Sequence, residues 1–243
     1  MWPNNSDSIT RSFDATAVDL TPAAAASHVR VLYSPISRDP SIAGQCAAVL
    51  SDTELQRMAR FISDDERDRF IQRRAFRRYC AALALESDKP LSSLAFAETE
   101  KGRPYLLERP EISFSFASFR SGYIAAWSAT HRVGIDIEDP ARDVEITELA
   151  QEYFSVAEMK AVEHANAAAR PRTFFQLWTL KEAALKSIGE GLPLGLDAFQ
   201  FQTQPELKII QTPREYRSLH HFDAYIIDGT PGCAALVVST PVA

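Results

Sequence analysis

The segment Val133-Gly134-Ile135-Asp136-Ile137-Glu138 alternates apolar residues with polar or small ones at every step. A period of two fits an extended strand and not a helix. It sets Val133, Ile135 and Ile137 on one face and Gly134, Asp136 and Glu138 on the other. Two carboxylates therefore share a face, and the glycine beside them leaves room for a ligand backbone or a phosphate to approach next to Asp136. Further on the period changes. Phe174, Leu177, Trp178, Leu185 and Ile188 recur at helical spacing and form a core-facing stripe, with Glu182 and Lys186 one turn apart at its edge. A third carboxylate thus arrives with a cation beside it. Three acids without a His or Cys companion suit a hard cation such as Mg2+, which completes its shell with waters and substrate phosphates. Taken alone, an acid pair on a strand is a solvated face and a Glu–Lys pair is a weak surface contact. Their combination points to phosphoryl chemistry.

The rest of the chain reads as helices mixed with short strands. Val29 to Tyr33 is strand-like, and Ser51-Asp52-Thr53-Glu54 and Ser63-Asp64-Asp65-Glu66 are capping boxes, the second opening a long helix through Leu85. Short strands are expected at Ala95–Ala97, Tyr105–Leu107, Ile112–Phe116 and Tyr123–Trp127, separated by Gly102-Arg103-Pro104 and other turn residues. After the Val133–Ile137 strand the order repeats. A capping box at Ser155-Val156-Ala157-Glu158 starts one helix, and a Pro171–Ile188 helix follows, ended by Gly189 and Gly191. Strands then fit Phe199–Gln202, Leu207–Ile210, Phe222–Ile227 and Ala234–Val238.

Composition narrows the class. No apolar run is long enough to span a bilayer, and residues 1–26 lack the basic-then-apolar order of a secretory signal, so a cytoplasmic location is expected. Cys46, Cys80 and Cys233 are odd in number and widely spaced among Ala, Leu and Tyr, which suits small buried hydrophobes rather than disulfides or a zinc site. The net charge of -6 argues against general nucleic-acid binding. Arginines are nevertheless concentrated at 67, 69, 73, 74, 77 and 78, a distribution suited to an anionic ligand, because the guanidinium is a planar fork of donors that matches phosphate.

The order Gly134-Ile135-Asp136-Ile137-Glu138, then Tyr153-Phe154-Ser155-Val156-Ala157-Glu158, then Trp178-Thr179-Leu180-Lys181-Glu182-Ala183-Ala184-Leu185-Lys186 resembles the signature of the 4'-phosphopantetheinyl transferases of the Sfp type. The resemblance extends from Val29 to the C-terminus. It implies a monomeric α+β fold of two pseudo-symmetric halves, each a helix-packed antiparallel sheet, with the active site in the cleft between them. The implied division is a polar extension at 1–28, one half at 29–130, and a second half at 131–243 that carries the metal site. The implied reaction moves the 4'-phosphopantetheine arm of CoA to a serine of an acyl- or peptidyl-carrier protein, releasing adenosine 3',5'-bisphosphate.

Carried over by motif, Asp136, Glu138 and Glu182 are the metal ligands, and Lys186 stabilises charge on the leaving phosphate. Lys181 precedes the metal-binding Glu and joins Arg77 and Arg103 among the cofactor contacts, while Glu158 is the candidate general base. One departure stands out. Where the family has Phe-Asn-Ile-Ser-His-Ser, this chain reads Phe114-Ser115-Phe116-Ala117-Ser118-Phe119, so Ser118 replaces a histidine that faces the CoA phosphate. A neutral hydroxyl makes a weaker phosphate contact than a charged donor. Two other functions therefore stay open: a metal-dependent phosphoryl transferase or hydrolase acting on another nucleotide-like substrate, and a degenerate homologue that binds carrier proteins without modifying them.

Overall fold

Helices and antiparallel sheets alternate along the chain, giving an α+β fold; the structure, a computed structural model, describes residues 8–189 and 194–242. The chain enters through α1 (Ser8–Thr16), β1 (Val18–Asp19), β2 (Arg30–Pro35), α2 (Pro40–Ala47), α3 (Asp52–Met58) and the long α4 (Asp64–Leu85). It continues through β3 (Phe96–Glu98), β4 (Pro104–Leu106), β5 (Ser113–Phe119) and β6 (Gly122–Ser128). The first expected capping box forms, Ser51 and Glu54 satisfying each other's amides reciprocally, while at the second Ser63 accepts from Glu66 N at the head of α4. Three acids in the first turn of α4 further suit the positive end of its dipole.

After β7 (Arg132–Glu138) come α5 (Ile146–Tyr153), α6 (Val156–His164), α7 (Arg170–Ile188), β8 (Gln200–Gln202), β9 (Lys208–Gln211), α8 (Arg214–Arg217), β10 (His220–Ile227) and β11 (Cys233–Pro241). Gly189 ends α7 in the left-handed region at φ 76°, as its position past the last apolar residue predicts. Gly191, the second expected stop, lies outside the described residues.

Two sheets carry the architecture, one ordered β1-β2-β6-β5 and the other β10-β11-β7. Period-two alternation in β6 shows how they stack: Tyr123, Ala125 and Trp127 face a core shared with α4, while Ile124 and Ala126 face the second sheet. The layer between the sheets is filled by Val31 and Tyr33 from one side and Val133, Ile135, Leu236 and Val238 from the other. A third core lies between the second sheet and α7, built on Phe174, Leu177, Leu185, Ala235 and Val237. The order of layers is therefore helix, sheet, sheet, helix. The three cysteines are free and buried, as their apolar neighbours imply.

The edges of β5 and β7 meet through side chains. Ser113 Oγ accepts from Val133 N and Ser115 Oγ from Ile135 N, each at 3.0 Å, so two strand amides find hydroxyls where a backbone partner would stand. The N-terminal polar stretch also contributes structure. Ile9 and Phe13, one helical turn apart on α1, enter the first core, and β1 pairs with β2. α1, β1, α5 and α8 had no expectation in the sequence; each is nine residues long or shorter.

Candidate active site

β7 is buried on both faces, not on one. Pairing with β11 sets Gly134 opposite Val237, Asp136 opposite Ala235 and Glu138 opposite Cys233, and this whole row faces α7. The expectation that Gly134 leaves room for a ligand is thereby corrected. A Cβ at Gly134 would stand 1.9 Å from Ala183 O and 2.5 Å from Ser187 N, so the glycine is what lets the α7 backbone lie directly on the strand. Gly134→Ala is expected to cost about 1–3 kcal/mol or more through this overpacking, read from the denaturation midpoint. An unchanged midpoint would refute the close packing.

That close approach brings the predicted acids and lysine together. Lys186 Nζ donates to Asp136 Oδ1 at 2.6 Å and to Ile135 O at 3.2 Å. Asp136 is only 6 % exposed, and its Oδ2 is buried with no hydrogen-bond partner among the described residues. Glu182 is held above the usual carboxylate range, first by burial and next by the negative charge of Asp136. Glu138 is raised for the same two reasons, with Arg142 opposing at 3.4 Å. The three carboxylates thus feel one another's charge, with one ammonium among them.

Among the described residues, no group of three or more His, Cys, Asp or Glu side chains already stands at metal-holding distances. The donor chemistry nevertheless fits a hard cation. All three groups offer carboxylate oxygens, one oxygen is buried and unused, and burial together with mutual repulsion raises two of the acids. Lys186 supplies the positive charge on Asp136 in this arrangement.

Glu158, the expected base, and Lys181, an expected cofactor contact, are turned into the protein and engaged with each other. Glu158 is 1 % exposed and Lys181 is fully buried, and they form an ion pair at 3.0 Å. Glu158 accepts from Ser155 N and Phe201 N, and Lys181 donates to the carbonyls of Leu196 and Phe199. Together these contacts tie α6 to α7 and both to the 196–201 segment that leads into β8. The helical alternation that put Glu182 at the edge of the stripe turns its neighbour Lys181 inward.

Arg103 is likewise committed to protein atoms. Nη1 donates to the carbonyls of Lys186 and Ser187, and Nη2 to Ser113 Oγ and Val133 O. Arg77 differs. Its guanidinium lies over the Phe116 ring, 3.8 Å from Glu98, with Nε and Nη1 buried and lacking hydrogen-bond acceptors among the described residues; burial and the neighbouring Arg74 and Arg73 push its pKa down to about 9. Ser118 is exposed on β5, and beyond it the β5–β6 turn borders an open cavity of about 320 Å³ lined by Arg38, Arg69 and Arg120 among others. Arg120 is paired with Asp139 at 2.6 Å. Sequence reading missed Ser113 and Ser115, whose hydroxyls hold the edge of β7; their recurrence at i and i+2 on a strand was the available signal.

Fold and site define an α+β protein whose carboxylate cluster is carried by a strand and the helix packed on it. The family model of the 4'-phosphopantetheinyl transferase superfamily matches residues 132–234, which include β7 and α7. The chain resembles that superfamily over this region. It is 30 % identical over 152 residues to slr0495 of Synechocystis sp., provisionally assigned as a 4'-phosphopantetheinyl transferase, covering 62 % of this chain and 61 % of that one, less than two thirds of the relative's length. It is similar to the 4'-phosphopantetheinyl transferase HetI of Nostoc sp., 26 % identical over 79 % of this chain and 77 % of the relative. Sfp of Bacillus subtilis, also a 4'-phosphopantetheinyl transferase, is 26 % identical over 76 % of this chain and 88 % of its own.

Proposed function

We propose that this protein transfers the 4'-phosphopantetheine arm of CoA to a serine hydroxyl of an acyl- or peptidyl-carrier protein. The observation that carries the reading is the convergence of Asp136, Glu138, Glu182 and Lys186 where α7 lies on β7, inside the region that the family model matches. In the reaction the serine oxygen bonds to the β-phosphorus of the CoA pyrophosphate. The bond from that phosphorus to the bridging oxygen breaks, and adenosine 3',5'-bisphosphate leaves with the electron pair, the serine proton passing to solvent.

Asp136, Glu138 and Glu182 would hold a magnesium ion, which when bound neutralises pyrophosphate charge. Lys186 then moves its ammonium from Asp136 to the phosphate, where positive charge is worth most in the transition state. Arg77, whose Nε and Nη1 lack acceptors among the described residues, and the exposed Ser118 are the proposed contacts to the anionic cofactor. We further read the chain as two working halves, 29–130 and 131–243, joined at the β6–β7 connection, with residues 8–28 packed on the first. The protein acts as a cytoplasmic monomer in this reading. Among the described residues no helix is long and apolar enough to cross a membrane.

The test is mass spectrometry of apo carrier proteins incubated with CoA, Mg2+ and this protein. A mass gain equal to the phosphopantetheine arm, located on a serine, is the expected result. No gain across fatty-acid, polyketide and nonribosomal-peptide carriers would overturn the reading.

A pH and metal dependence follows from the raised acids. Below the unfolded-state pKa a glutamate is protonated in both states and contributes nothing. As pH rises through the unfolded and then the raised folded value, the folded state acquires a charge it disfavours, and stability is lost. At neutral pH the full penalty is present, so Glu182→Gln should raise the Tm of the metal-free protein by about 2–4 °C for each kcal/mol relieved. The gain should vanish below about pH 4, near the unfolded-state pKa of glutamate. Added Mg2+ should stabilise the unaltered protein and not the variant. A variant less stable than the parent at pH 7 and equally stabilised by Mg2+ would contradict the assignment.

A further inference from the structure

We propose that Arg103 is a positioning residue: it clamps the C-terminal end of α7 to the first sheet and thereby sets where the Lys186 ammonium stands, without touching the cofactor. The bearing on turnover rests on the phosphopantetheinyl transfer reading; the clamp itself does not.

Any helix leaves the carbonyls of its last turn without intrahelical partners. In α7 these belong to Leu185, Lys186, Ser187 and Ile188. Leu185 O accepts from Gly189 N at 3.1 Å, in the cap that the left-handed glycine makes. Lys186 O and Ser187 O accept from Arg103 Nη1, both at 3.3 Å, and Ile188 O accepts from Arg132 Nη1 at 3.1 Å. The helix end is thus closed by two cations from outside the helix, at the pole where positive charge is favoured.

Arg103 reaches further than a cap requires. Its Nη2 donates to Ser113 Oγ at 2.6 Å and to Val133 O at 3.4 Å, and Ser113 Oγ also accepts the Val133 amide. One guanidinium therefore joins β5, β7 and α7, and its own backbone is pinned to Thr99 in the turn before β4 by the Thr99 N to Arg103 O bond of 2.9 Å. Burial, with the nearby charge of Arg132, pushes its pKa down to about 10, as expected for a cation closed in by protein rather than open to solvent.

The consequence falls on Lys186. Its carbonyl is held by Arg103, and its ammonium lies on Asp136 Oδ1 and Ile135 O. A residue fixed at both ends delivers its charge to one place. Removing the clamp leaves the charge on Lys186 but loosens the point from which its side chain extends. A lysine at 103 keeps a charge yet lacks the planar fork that spans two carbonyls and a hydroxyl at once, so the conservative replacement should fail to rescue.

The experiment compares the full chain with Arg103→Lys and Arg103→Ala. Hydrogen exchange at the last turn of α7 should rise by about tenfold or more in both variants. The ¹H–¹⁵N signal of the Lys186 ammonium, assigned with Lys186→Met, should broaden or vanish. Turnover at saturating CoA, measured well below the Tm, should fall by roughly 10- to 100-fold, the scale of a misplaced charge. CoA affinity by calorimetry should change less than about twofold. Loss of CoA affinity in Arg103→Ala that Arg103→Lys restores would show a direct cofactor contact and overturn the proposal, as would unchanged exchange and an unchanged ammonium signal in both variants. If the unaltered protein neither binds CoA nor modifies a carrier, the transfer reading fails, and the exchange and ammonium measurements still decide the clamp.

Discussion

Replacing Asp136 by asparagine is expected to reduce phosphopantetheinyl transfer by about 10²- to 10³-fold, the scale on which a preorganised electrostatic partner acts on a developing charge. Folding should survive the change. Asparagine preserves the volume of the side chain facing Ala235, and the freed Lys186, whose side chain is 33 % exposed, can take its ammonium to solvent rather than remain an unpaired buried charge. Glu182→Ala should lose transfer on the same scale, and chelation of divalent cations should reproduce both losses in the unaltered protein. Carrier modification followed by mass spectrometry at saturating Mg2+, beside circular dichroism melts, checks this. A variant that transfers at near the parental rate would remove Asp136 from the site.

The second large effect concerns Glu158 and acts on stability instead. Glu158→Ala leaves the Lys181 ammonium buried and unpaired and strips acceptors from the amides of Ser155 and Phe201. Breaking one side of such a pair costs about 3–5 kcal/mol, so a fall in Tm on the order of 10 °C is expected for a chain of this size. Glu158→Leu combined with Lys181→Met should recover part of that loss, because no buried charge is then stranded. The outcome also discriminates between roles. A Glu158→Ala protein with parental Tm and abolished transfer would restore this residue as the general base and refute the buried-pair account.

These two acids show what a motif says about a side chain and what it leaves open. Asp136 and Glu182 were legible because a strand and a helix each carry a period, and the period says which residues share a face. Glu158 sat in an equally good motif, yet the capping box it forms with Ser155 is a local device that fixes the backbone of α6 and says nothing about what lies across from it. Only the fold brings Lys181 and the Phe201 amide against it. Gly134 teaches the same lesson in reverse: alternation assigned its face correctly, but whether that face meets solvent or a helix depends on chain far away in sequence.

What the amino-acid order determined by itself was everything set by neighbours a few residues apart. This includes the strand period of β7, the helical stripe of α7, the caps at Ser51, Ser63 and Ser155, the stop at Gly189, and the placement of three carboxylates and a lysine on faces able to meet. The tertiary structure decided which faces did meet. It laid α7 on the Gly134 row, withdrew Lys181 into a buried pair, turned Arg103 onto the end of α7, and joined the two sheets through Ser113 and Ser115. The physical reason is that periodicity encodes the direction of a side chain relative to its own backbone. Its partners are fixed only when burial of apolar surface and the pairing of every buried polar group are satisfied together across the whole chain.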